Sequence, residues 1–194
     1  MQAICKSAWG GREPSGTLTP HTIERMTVHH TAAVLDSNRK APARARAHQR
    51  YHMDDRGWID LAYHFLVDAN GHVLEGRPLG AVGDTGTNYD PTGHFLVCAE
   101  GDFNQQAIPA AQVAAIADVL AWGAVTFGVP ASTIRGHRDW ASTSCPGDGF
   151  YPLIKEGSLQ AAVETRMAAG APSLSVLCGD AAISRVADIE AGLI

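Results

Sequence analysis

The chain has 194 residues, of which 45% are hydrophobic and 18% charged, a balance typical of one globular domain with a buried core. Its formal net charge of −5 argues against a nucleic-acid-binding protein, which would normally present a basic face. No apolar run is predicted to span a membrane, and the N-terminal residues lack the pattern of a signal peptide. We therefore expect a protein that is made in the cytoplasm, or is the mature form of a longer product, without membrane insertion.

The first predicted elements are a strand and a helix. Residues 27–31 predict a strand that carries His29 and His30 at its end. Residues 41–53 predict a helix, because Pro42 suits a first turn and the alanines, arginines and glutamine that follow favour helix. Histidines at the end of a strand are well placed to face a cleft.

A hairpin and a long polar loop follow. Residues 58–77 contain two β-rich runs around Asn70-Gly71, a pair that supplies the positive φ of a tight turn. Residues 77–93 are rich in Gly, Asp, Thr and Asn and predict a loop. Loops of this length inside a domain are usually functional or mobile.

The second half of the chain alternates strands and helices. Residues 94–101 predict a buried central strand, with Cys98 as a core thiol, and residues 109–127 predict an amphipathic helix. A short strand at Ile134 and a helix in the second half of 151–170 follow. This order predicts an α/β fold in which a central mixed β-sheet is flanked by helices.

The cysteines are far apart and include no Cys-x-x-Cys pair: Cys5, Cys98, Cys145 and Cys178. This spacing argues against a disulfide framework, although it leaves room for one bridge. It also argues against a structural zinc site, which often draws its ligands from such pairs.

A catalytic zinc site is a second interpretation of the histidines and cysteines. Such sites use three protein ligands and keep a fourth position open, and His29 or His30 with His137 and Cys145 would supply them. With nine histidines in the chain, spacing alone favours an ordinary surface or hydrogen-bonded role for any one of them.

Six blocks carry a family resemblance: "SAWGGR", "VHHTA", "YHMDDRGWIDLAYHFLVDANGHVLEGR", "VGD", "CAEGDF" and "GHRDWASTSCPG". Together they resemble the type-2 N-acetylmuramoyl-L-alanine amidases, a group that includes phage endolysins, bacterial autolysins and peptidoglycan recognition proteins. The resemblance covers about residues 7–155 in the same order. We assign residues 1–170 to a zinc amidase catalytic domain and residues 171–194 to a C-terminal tail of unknown role.

The resemblance implies a ligand set and two catalytic residues. It places Zn²⁺ on His29, His137 and Cys145, and catalytic roles on Tyr63 and Thr143. His30 would lie on the opposite face of its strand, because successive side chains alternate.

The implied chemistry gives each group a task. Zinc would lower the pKa of a water towards 7 and polarise the scissile carbonyl. Tyr63 could donate a hydrogen bond to the oxyanion or, with a lowered pKa, act as a base. Thr143, at a position held by Lys or Thr among relatives, can only form hydrogen bonds.

Two segments remain open. Many relatives carry a histidine in the loop after "VG", where this chain has Asp84-Thr85, so substrate preference transfers least there. Five cations fall in one acid-free run: Arg39, Lys40, Arg44, Arg46 and Arg50. We favour a solvated helix face for this run, the alternative being contacts with carboxylates of the stem peptide or wall polymers. His52 and His64 are predicted to be structural.

These features predict a zinc-dependent amidase that cuts between N-acetylmuramic acid and L-alanine of peptidoglycan. We expect a monomer that binds the muramoyl stem peptide, binds no nucleic acid and acts on the cell wall. Three alternatives are a non-catalytic peptidoglycan-binding receptor of the same fold, a cytosolic recycling amidase and a zinc peptidase. Receptors of this fold typically lose the zinc cysteine and recycling amidases usually replace it by aspartate, so Cys145 argues against both.

Overall fold

A computed structural model describes residues 1–194 as one sheet with helices on both faces. Its seven strands, numbered in chain order, are β1 Gln2–Ile4, β2 Arg25–His30, β3 Phe65–Val67, β4 Val73–Glu75, β5 His94–Ala99, β6 Arg135–Gly136 and β7 Ser175–Leu177. Its five α-helices are α1 Ala41–Arg50, α2 Ala110–Phe127, α3 Tyr151–Lys155, α4 Ser158–Ala168 and α5 Asp180–Ala191.

The strands lie in the order β6-β2-β5-β3-β4-β1-β7. Only β3 and β4 pair antiparallel, and every other neighbouring pair is parallel. The sheet is therefore mixed, as expected. Parallel neighbours place their carboxyl ends together, which is where open α/β sheets usually bind ligands.

Alternation along the strands divides the core between the two faces. Phe95 and Val97 of β5 belong to a large apolar cluster with α2 and α4, whereas Cys98 belongs to a second cluster that includes α5. Cys98 is fully buried and forms no disulfide, which confirms the prediction of a core thiol. The second face also carries Ala45 of α1.

Most predicted elements are present with small differences in length. Helix α1 ends at Arg50 and continues as a π-helical turn to Asp55. In the hairpin, Gly71 has φ 91° and the Asp68 carboxylate accepts hydrogen bonds from the Asn70 and His72 amides. Its strands are shorter than predicted, since residues 58–64 approach β3 without strand pairing.

Helix α2 corrects one expectation. By length and composition alone it could cross a membrane, although the sequence was expected to contain no such segment. Here eight of its residues are buried, and it packs against the sheet and α4. Its apolar character is that of a core helix.

The two ends of the chain meet in the sheet, which the sequence did not predict. Strand β1 pairs in parallel with β7, and Cys5 and Cys178, directly after these strands, form a disulfide. Helix α5 packs on α1, and Arg46 forms an ion pair with Glu190 at 2.7 Å. Residues 171–194 thus complete one edge of the sheet and cover part of one face.

We predict that Cys178→Ser lowers the free energy of unfolding by about 2–4 kcal/mol, because the bridge closes a loop of 173 residues in the unfolded chain. Urea unfolding monitored by circular dichroism measures the change. Cys5→Ser should match it, and dithiothreitol should remove the difference between the wild type and either variant. Equal stabilities without reductant would contradict the bridge.

Candidate metal centre

Two histidines reach the centre from neighbouring parallel strands. His29 lies near the carboxyl end of β2, and His137 directly follows β6. Since β2 and β6 pair with Val28 opposite Gly136, the residues that follow each of these are brought side by side. The two imidazole ring centroids are 4.6 Å apart.

Successive side chains of β2 point to opposite faces of the sheet, so only one histidine of the His-His pair can lie next to His137. That residue is His29, whose ring is next to the His137 ring. The His30 ring lies 6.0 Å from the Phe103 ring, within the apolar cluster of the opposite face, and its Nδ1 accepts a hydrogen bond from the Phe103 amide at 3.2 Å. His30 contributes to the centre through its backbone instead, because its amide contacts the Cys145 sulfur at 3.3 Å.

Cys145 is held by a loop that is clamped to β6. The Arg138 amide donates to the Cys145 carbonyl at 3.0 Å, and the Arg138 side chain donates to the Ser144 carbonyl and pairs with Asp148. Gly136 lets this loop approach, since a Cβ there would lie 3.0 Å from Pro146. Arg138 lies within the segment "GHRDWASTSCPG", but no pattern in the sequence marks it as the residue that holds the cysteine loop.

The three predicted ligands come together in one buried cluster. The ligand atoms of His29, His137 and Cys145 lie within 4.8 Å of one another, and the Cys145 sulfur is 3.7 Å from His29 Nδ1. Ligands at zinc bond lengths in a tetrahedral arrangement are separated by about 3.3–3.8 Å. The separation of Cys145 from His29 falls in this range, and two imidazoles with one thiol are the donors of a zinc ion that keeps one position open.

Burial sets the protonation states of the ligands. It lowers the pKa of His137 to about 4 and holds that of His29 well below 6.5, with the neighbouring His137 adding to the effect. Both imidazoles are therefore neutral at pH 7 and can donate a lone pair. Burial raises the pKa of Cys145 to about 12, so without a cation the thiol keeps its proton.

Tyr63 lies beside this cluster, just before β3. Its ring centroid is 5.2 Å from that of His29. Burial raises its pKa well above 10, and the nearby Cys98 and Cys145 add to the shift. The phenol is therefore protonated at neutral pH and suited to donating a hydrogen bond.

Thr143 has an observed contact with the loop. Its hydroxyl oxygen accepts a hydrogen bond from the Cys145 amide at 3.2 Å, which fixes the backbone that carries the sulfur. Its proton stays available for donation. The structure thus gives Thr143 a task in placing Cys145, and its predicted catalytic role stays a prediction.

The loop after Gly83 reaches the two histidines. Asp84 forms an ion pair with Arg77, the Thr87 hydroxyl lies 2.8 Å from His137 Nε2, and the Tyr89 hydroxyl lies 3.3 Å from His29 Nε2. The sequence did not identify Thr87 or Tyr89, because a threonine and a tyrosine in a polar loop carry no motif.

Two other histidines and the basic run of residues 39–50 were also given roles from the sequence. His52 accepts from the Ala62 amide and His64 from the Leu96 amide, so both are structural as predicted. The basic run is not only a solvated face, since Arg39 and Arg46 both bond Glu190 of α5.

Comparison with known sequences finds relatives across most of the chain. A family model described as N-acetylmuramoyl-L-alanine amidase matches residues 19–148, which include all five predicted site residues. Peptidoglycan-recognition protein SC2 of Drosophila melanogaster is 32% identical over 161 residues, 80% of this chain and 85% of that protein. The human N-acetylmuramoyl-L-alanine amidase is 34% identical over 135 residues, 67% of this chain but only 23% of that protein.

Solved structures share the fold. The ectodomain complex of peptidoglycan recognition proteins LCa and LCx bound to tracheal cytotoxin matches with a TM-score of 0.73 and 30% identity over 80% of this chain and 96% of that chain. The amidase LysC from Clostridium intestinale matches with a TM-score of 0.66 and 21% identity over 84% of this chain and 97% of that chain. These matches confirm the predicted fold and the family resemblance.

We predict that zinc uptake releases about one proton at about pH 6, because there both imidazoles are neutral and the Cys145 thiol must ionise. The apparent affinity should then rise about tenfold per pH unit around that pH. Calorimetry in buffers of different ionisation enthalpy counts the protons. Uptake without proton release would show that Cys145 is not a ligand.

Proposed function

We propose, from the fact that the chain belongs to the N-acetylmuramoyl-L-alanine amidase family, that it is a zinc-dependent amidase of peptidoglycan. The bond cut is the amide between the lactyl group of N-acetylmuramic acid and the first L-alanine of the stem peptide. The peptide leaves with a free amino terminus, and the glycan strand stays intact.

One observation carries this proposal: three potential ligands converge in a buried cluster beside a protonated tyrosine. A binding protein needs no such donor set to hold a peptide or a sugar. Catalytic zinc sites, by contrast, use three protein ligands and one open position. The cluster of His29, His137 and Cys145 therefore favours hydrolysis over binding alone.

Each group of the proposed site has a separate role. When bound, zinc would act as a Lewis acid that polarises the scissile carbonyl and makes water a nucleophile near neutral pH. His29 and His137 present neutral imidazoles, and Cys145 gives up its proton to bind as thiolate. Tyr63, whose raised pKa keeps it protonated, donates a hydrogen bond to the carbonyl oxygen as negative charge develops. Thr143 orients the Cys145 amide.

The substrate assignment draws on similar proteins. Several solved relatives are named for peptidoglycan recognition, and the LCa–LCx complex contains tracheal cytotoxin. By extension, we propose that this chain binds a muramoyl stem peptide and acts on the cell wall as a monomer. The Cys5–Cys178 disulfide supports action outside the reducing cytoplasm, where such bridges persist.

Digestion of purified peptidoglycan with mass analysis of the products tests the activity. We expect stem peptides that begin with alanine from the wild type, and none from Cys145→Ser, which should stay folded but lose zinc. Ser142→Ala, which removes an exposed hydroxyl in the same loop, is the matched control and should retain activity. Shortened peptides still on muramic acid would indicate a peptidase, and binding without release would indicate a receptor. A zinc-free variant with full activity would overturn the proposed mechanism.

Tyr63→Phe should reduce kcat by about 10²–10³-fold, because it deletes one donor to the developing oxyanion and leaves the ligands in place. Zinc content and peptidoglycan binding should not change. Tyr51→Phe, at a half-exposed tyrosine, controls for loss of a phenol hydroxyl in general. An unchanged kcat in Tyr63→Phe would remove this residue from the mechanism.

A further inference from the structure

We infer that Thr87 and Tyr89 are positioning residues, which hold the two histidine ligands through their outer ring nitrogens and so set the strength of zinc binding. The inference rests on the proposed zinc site. Both residues lie in the polar loop of residues 82–93, to which the sequence assigns no chemistry.

The two nitrogens of His29 face different partners. Nδ1 is 3.7 Å from the Cys145 sulfur, so this nitrogen points into the ligand cluster. Nε2, on the far side of the five-membered ring, is 3.3 Å from the Tyr89 hydroxyl. Tyr89 is therefore an outer partner of His29 and lies outside the set of ligand atoms.

His137 is held in a similar way. Its Nε2 is 2.8 Å from the Thr87 hydroxyl and 3.3 Å from that of Thr85. The two threonine hydroxyls are 2.8 Å apart, so Thr87 can donate its proton to Thr85 while it accepts from His137. This arrangement leaves Nδ1 of His137 as the ligand nitrogen.

These contacts suit one tautomer of each histidine. A neutral imidazole carries one N–H, and if Nδ1 presents its lone pair to a metal, that proton lies on Nε2, where the hydroxyl oxygen can accept it. Outer partners of metal-bound histidines fix ring orientation, and their removal typically weakens metal binding 10–100-fold.

Packing keeps the loop in this place. The Tyr89 ring lies 5.2 Å from the His137 ring and 5.1 Å from the His94 ring, so the phenol is wedged among three imidazoles. At the start of the loop, Asp84 pairs with Arg77, whose side chain also donates to the carbonyl of Leu61. The two hydroxyls are thus presented by a segment anchored to the fold.

Zinc affinity measured by chelator competition on the full chain tests the inference. We expect Tyr89→Phe and Thr87→Val each to weaken zinc binding about 10-fold or more. Thr87→Ser should restore the wild-type affinity, because it keeps the hydroxyl. Thr92→Val, an exposed threonine in the same loop, is the matched control and should leave the affinity unchanged.

The absorption spectrum of the Co²⁺-substituted protein is a second measurement. It would not change if Thr87 and Tyr89 only stabilised the fold. The visible absorption bands of the Co²⁺ protein should shift in Tyr89→Phe and Thr87→Val, with circular dichroism showing an intact fold. Folded variants with wild-type zinc affinity and unshifted cobalt bands would overturn the inference while leaving the amidase proposal standing. A wild-type chain that binds no zinc would overturn both.

Discussion

The parallel pairing of β2 with its neighbours is the constraint on which the candidate metal centre depends. It aligns the ends of β2 and β6, so that His29 and His137 leave adjacent strands at one edge of the ladder. Strand β6 has only two residues, too few to hold its end by ladder hydrogen bonds alone. The side chains of the following turn supply the rest: Asp139 accepts from the Gly136 amide at 2.8 Å, and Arg138 holds the cysteine loop.

Burial of the ligands has an energetic consequence for the whole domain. Two imidazoles and a thiol have been taken out of water, and polar groups in such a place are costly unless they are partnered. A divalent cation would satisfy all three at once, so metal binding and the stability of the folded state are linked. The same burial keeps Tyr63 protonated, which ties the ligand environment to the chemistry of its neighbour.

Much of the fold could be predicted because its signals are local. Helix α2 begins one residue after Pro109 and ends one residue before Gly128, as its capping pattern indicates. Strand β5 is an apolar run within a polar context. Strands β1 and β7, by contrast, have three residues each and exist through pairing between chain ends 173 residues apart, so no local pattern marks them.

In the candidate site, too, residues within motifs could be predicted from the sequence, whereas contacts between distant residues could not. The resemblance pointed to three candidate ligands, and the structure brings them together. A hydrogen bond between a loop hydroxyl and a distant histidine, by contrast, leaves no trace in a single sequence. Thr143 combines both cases. Its position in the motif could be identified from the sequence, but its hydrogen bond from the Cys145 amide could not.

The order of strands sets how far the amino terminus lies from the candidate metal centre along the sheet. Four inter-strand steps of about 4.8 Å, or about 19 Å, lie between β2 and β1. The amino group of Met1, just ahead of β1, donates a hydrogen bond to the Ser173 carbonyl at 2.7 Å. Ala3, Val73, Val67, Ala99 and His30 lie in register across the sheet, and β1 runs opposite to β2. An affinity tag or a targeting module fused ahead of Met1 would accordingly emerge at the same edge of the sheet as the imidazoles, displaced sideways by four strands.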